Sequence, residues 1–86
     1  MKPFKLGERL LKELNKKFAP TSMLQLKVAG YDIVVRTDDN GDAVQAFVGK
    51  ADAHGAIRGD RFARTLKYDR AGTRIKDHWE RKGKAS

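Results

Sequence analysis

Arg64, Asp77, His78 and Glu80 are the residues of this chain that come nearest to a proton-transfer set. A carboxylate beside an imidazole is a pairing used in general acid–base chemistry. They belong to or flank the stretch LKYDRAGTRIKDHWE, residues 66–80, which alternates on either side of Asp69-Arg70-Ala71-Gly72. Successive side chains of a strand point to opposite faces, so alternation sends Asp77 and His78 apart. Pairing across the Asp69–Gly72 loop sets Tyr68 against Thr73, Leu66 against Ile75, Arg64 against Asp77 and Phe62 against Trp79. Arg64 and Asp77 then share a face with Phe62, Leu66, Ile75 and Trp79. Two opposite charges among apolar neighbours require each other once water is excluded. The sequence therefore predicts a structural pair there, with no catalytic residues. No Ser-His-Asp order, phosphate loop or nucleotide-binding glycine pattern is present, and the expectation is a protein that is not an enzyme.

The other face of the same hairpin holds Arg61, Lys67, Arg74, Lys76 and His78, and Arg81, Lys82 and Lys84 follow. Lys67 opposite Arg74 is a like-charge pair, which costs stability unless something neutralises it. These eight residues are the expected anion-binding or nucleic-acid-binding set. The formal net charge of +8 is uneven: +4 over residues 1–20, −2 over 21–56 and +6 over 57–86. Basic patches draw phosphates by long-range attraction and counterion release. With Phe62, Tyr68 and Trp79 assigned inward, and no RNA-recognition or zinc-finger signature, the expectation is nonspecific backbone contact. The alternative is a protein-interaction or structural module that meets an acidic protein surface or pairs through a sheet edge.

Other motifs read as turns or chance. Asp38, Asn40 and Asp42 alternate like the opening of a calcium loop, but Ala43 and Gly49 stand where that loop needs glycine and glutamate. Arg58-Gly59-Asp60 spells an adhesion tripeptide with no sign of secretion. His54, beside Asp52 in DAHG, and His78 are the two histidines. The absence of cysteine removes disulfides, Cys-rich zinc sites and thiol catalysis together. No metal or cofactor is expected.

The elements that position these residues follow from periodicity. Leu6, Leu10, Leu14 and Phe18, with Leu11 beside them, recur at helical spacing, and Lys5, Glu8, Arg9, Lys12, Glu13 and Lys16 lie opposite. That is an amphipathic helix of three to four turns, entered at Pro3 and ended before Pro20. From Leu24 the period is two. A turn at Ala29-Gly30 pairs Val28 with Tyr31, Leu26 with Ile33 and Leu24 with Val35, while Lys27 meets Asp32 on the other face. A turn at Asn40-Gly41 then pairs Val35 with Ala46 and Ile33 with Val48, so both turns extend one apolar surface. Ile57 and Phe62 have opposite parity, which places a bulge at Gly59.

The predicted architecture is α+β: an N-terminal amphipathic helix packed on one face of an antiparallel meander of about five strands. Residues 1–80 form one domain, and 81–86 a basic tail that frays. No apolar run approaches the ~20 residues of a membrane span, and a cytoplasmic location is expected, with a homodimer through a free sheet edge as an option. The segment KYDRAGTRI, residues 67–75, resembles a single copy of the tyrosine–aspartate repeats of large bacterial surface toxins. That resemblance implies a hairpin there and assigns no family.

Overall fold

In the computed structural model, which describes residues 7–84, the chain forms one short helix and a five-stranded antiparallel sheet. The order is α1 (Glu8–Leu14), β1 (Met23–Val28), β2 (Tyr31–Thr37), β3 (Ala43–Ala51), β4 (Ile57–Tyr68) and β5 (Arg74–Lys84). The strands lie side by side in chain order, a plain meander. Among the described residues no helix is long and apolar enough to cross a membrane.

The helix is shorter than its periodicity predicts, seven residues. Its expected entry, with Pro3 and Leu6, lies outside the described residues. Its early end has a tertiary cause. Beyond Asn15 the chain docks on the β2–β3 turn: Lys17 bridges Asp42, and the Phe18 N–H donates to the Gly41 carbonyl at 2.8 Å. Such contacts override a modest helix propensity. Leu10 and Leu14 are buried in one cluster with Ile33, Val35, Ala46, Val48 and Phe62, and Phe18 packs against it.

The first two hairpins keep the expected partners. Val28 faces Tyr31, Leu26 faces Ile33 and Leu24 faces Val35, with both Ala29 and Gly30 at positive φ. Val35 faces Ala46 and Ile33 faces Val48. The second turn is not the tight Asn40-Gly41 form, however. Asp38 and Asp42 close it, and Val44 is the extra residue between the Arg36–Gln45 and Thr37–Ala43 pairs.

One turn design occurs three times, at Asp38–Asp42, Asp52–Ala56 and Asp69–Thr73. In each, the aspartate N–H donates to the carbonyl four residues on, and the glycine N–H returns to the aspartate carbonyl. The aspartate carboxylate also accepts the N–H groups two and four residues ahead. Gly41, Gly55 and Gly72 all sit at φ 82–85, a left-handed conformation that favours glycine. The spacing Asp-x-x-Gly thus sets every hairpin after the first.

The expected bulge at Gly59 is absent. β3 and β4 pair without a break from Gln45–Ala63 to Ala51–Ile57, with Gly49 directly opposite Gly59. A Cβ at Gly49 would meet the Arg58 carbonyl oxygen at 2.0 Å, and one at Gly59 the Val48 oxygen at 2.1 Å. The two glycines let the backbones approach closely. Ile57 and Phe62 are both buried because they lie on opposite faces, and Ile57 stays outside the main cluster.

Candidate functional site

The last hairpin carries most of the chemistry-bearing residues, and its register differs from the expected one. Arg64 lies opposite Trp79, Leu66 opposite Asp77, Thr65 opposite His78 and Lys67 opposite Lys76. The five-residue turn at Asp69 moves the pairing by one, and a bulge that leaves Ile75 without a partner moves it by one more. A two-residue shift preserves parity. Phe62, Arg64, Leu66, Asp77 and Trp79 therefore still share a face, opposite Arg61, Lys67, Lys76 and His78.

Beyond the Ile75 bulge parity reverses. Ile75, expected in the core, is 65% exposed. Arg74, expected among the outward cations, turns to the inner side and pairs with Asp42 at 3.2 Å and Asp77 at 3.5 Å. A second bulge at Lys82, beside Gly83 at φ 130, shifts the ladder again. β5 nevertheless continues through Lys84, so residues 81–84 are strand and not a frayed tail. Arg81 stands opposite Phe62 and binds Asp60 at 2.7 Å. Lys82 binds Glu80 at 3.1 Å, and Lys84 stands opposite Asp60.

On the inner side the charges form one connected network. The Arg64 side chain has no exposed surface, and its Nε and Nη2 each donate to Asp77 at 2.7 Å. Its Nη1 donates to the Ala43 carbonyl at 3.2 Å, and its guanidinium lies 5.6 Å from the Trp79 ring centre. Arg74 links Asp77 to Asp42, which is 1% exposed and also receives Lys17 at 2.8 Å. Tyr68 donates to Asp42 and accepts from Arg74, and the Trp79 indole donates to Asn15 at 3.1 Å. The network joins the end of α1, the β2–β3 turn and both strands of the last hairpin.

The hydrogen bonds from Arg64 hold Asp77 below the usual carboxylate range, against an opposing push from burial; the charges of Arg64 and Arg74 add to the lowering. For Asp42 burial is the largest influence and raises the pKa. The Lys17 hydrogen bond, with the charges of Lys17, Arg74 and Arg64, outweighs it and leaves the group lowered. Asp42 is thus held by cations already in the protein, unlike a free calcium ligand, and Asp38 spends one oxygen on its own turn. Arg58-Gly59-Asp60 lies within β4, paired to β3. His54 sits in the exposed turn after β3, whereas His78 is mid-strand in β5.

The outer face is different. Arg61, Lys67 and Lys76 make no ion pair within the described residues, and Lys67 and Lys76 directly oppose each other. Arg36 extends the same face from β2, opposite Gln45, and is likewise exposed and unpaired. Sequence reasoning missed it, although alternation through YDIVVRT places Arg36 with Asp32 and Val34. Lys82, and more weakly His78 and Lys76, lower the pKa of Glu80. That carboxylate is already occupied by Lys82.

No family model, curated protein or solved structure matches this chain. The geometry alone therefore carries the functional argument.

Proposed function

We propose that this domain is a binding module rather than an enzyme, and that it engages the phosphate backbone of nucleic acid, in the cytoplasm, through the outer face of its sheet. The observation that supports the reading is the Lys67–Lys76 pair, two cations held opposite each other with no carboxylate at salt-bridge distance among the described residues. Directly opposed like charges cost stability, and a bound phosphate removes that cost. The working set is Arg36, Arg61, Lys67 and Lys76, with His78 between them. Arg74, Arg81 and Lys82 leave the expected set because carboxylates of the protein already hold them, and Lys84 leaves it because it stands opposite Asp60 on the inner side. In this reading the amphipathic α1 covers the inner face and leaves the outer one open.

The test is fluorescence anisotropy with an oligonucleotide of arbitrary sequence across a salt series. Neutralising three phosphates predicts a log–log slope of about −2 for a single strand. Lys67→Glu with Lys76→Glu should abolish binding and leave the melting temperature close to that of the wild type, because the opposed pair stays like-charged. Wild-type protein that fails to bind at low salt would refute the reading. A second reading, pairing through a sheet edge, draws on β5, whose eleven residues form an edge of the sheet. It predicts a concentration-dependent dimer by sedimentation, and a strict monomer removes it.

A further inference from the structure

We infer that Phe47 is a base-stacking residue, which makes the ligand of the outer face single-stranded rather than duplex nucleic acid; the inference rests on the backbone-binding reading above. Phe47 lies on β3, the middle strand, and alternates with the fully buried Ala46 and Val48. Its ring therefore belongs to the face away from the core cluster, of which it is not a member. It is only partly buried there, between Val34 on β2 and the exposed Arg61 on β4. The uncovered face of an antiparallel sheet is ordinarily polar; Val34, Phe47 and the buried Ile57 break that pattern here, and Phe47 is the aromatic ring among them.

The other aromatics near the sheet surface are occupied. Lys50 lies over Tyr31, Arg64 over Trp79 and Arg74 over Tyr68. Phe47 carries no such cation among the described residues. A ring directly opposite the unpaired Arg61, with Arg36 diagonal to it on β2 and Lys67 and Lys76 farther along the strands, supplies the two parts a single strand needs. One is a π-surface that accepts any base, and the other is a row of cations for its phosphates. A duplex keeps its bases stacked inside and offers such a ring nothing.

The experiment compares a 12-nucleotide thymidine strand with a duplex of equal length in 50 mM salt, for the wild type and for Phe47→Leu, Phe47→Ala and Phe47→Tyr. Wild type should prefer the single strand. Phe47→Leu, which keeps apolar bulk, should lose about tenfold in single-strand affinity with duplex affinity and melting temperature unchanged, and Phe47→Tyr should retain binding. Phe47→Ala should behave as Phe47→Leu does, and if it unfolds, the leucine variant decides. Equal single-strand affinity for wild type and Phe47→Leu overturns the stacking role and leaves backbone binding standing. Equal losses on both ligands also overturn it, since they mark a structural effect. Binding of neither ligand by the wild type overturns both.

Discussion

Replacing Asp77 by alanine strands a guanidinium that has no exposed surface. Arg64 keeps the Ala43 carbonyl at 3.2 Å and the Trp79 ring face, and loses both 2.7 Å bonds to Asp77. Breaking a fully buried ion pair from one side costs about 3–5 kcal/mol. The Asp77 side chain is 32% exposed, so water reaches the site and the estimate falls to about 2–3 kcal/mol. For a domain of this size that is roughly a 10–20 °C drop in melting temperature. Urea titration followed by the fluorescence of Trp79, the chain's single tryptophan, reads the loss beside the altered contact. Adding Arg64→Met should restore much of it, because no buried charge then lacks a partner. An Asp77→Ala midpoint equal to wild type would show that the pair contributes nothing.

Four further outcomes follow from the same structure. Asp77 and Asp42 have lowered pKa values in the fold, so their contribution is present above the unfolded value of 3.8 and drains away as pH falls through the folded ones. Urea midpoints should thus decline below about pH 4, and Asp77→Asn should flatten that decline. Gly49→Ala or Gly59→Ala drives a methyl into the opposite backbone and should cost about 3 kcal/mol by chemical denaturation. Asp69→Ala removes the acceptor of two turn N–H groups and should cost about 1 kcal/mol in the same assay. Ala29 sits at φ 54 in a turn that favours asparagine, and Ala29→Asn should raise stability by about 0.5–1 kcal/mol.

The strand order and the first two hairpins were legible because a buried face demands strict alternation. Leu24, Leu26 and Val28 meet Tyr31, Ile33 and Val35 in a register that keeps all six on one face, and the two-residue turn at Ala29-Gly30 selects it among the registers of equal parity. The Arg64–Asp77 contact was legible for the same reason, despite a wrong direct partner, since a two-residue shift leaves parity alone. Bulges were not legible. Nothing in TRIKDHW distinguishes Ile75 as the residue left over, yet that single insertion turns Arg74 from the solvent side to Asp42. Gly59 looked like the site of a bulge because Ile57 and Phe62 are both apolar, when one lies on each face. The Asp-x-x-Gly turns were present in the sequence three times; their shared spacing was the signal that a residue-by-residue reading of Asn40-Gly41 passed over. Charge alone does not locate a ligand face, because which cations stay unpaired depends on carboxylates brought from elsewhere in the chain.

The most direct measurement is an amide chemical-shift map of the protein titrated with a short thymidine strand. Shifts should concentrate on the outer face, at Arg36, Phe47, Arg61, Lys67, Lys76 and His78, with the inner network of Arg64, Asp77 and Asp42 undisturbed. Shifts confined to α1 and the β2–β3 turn, or no shifts at low salt, would contradict it.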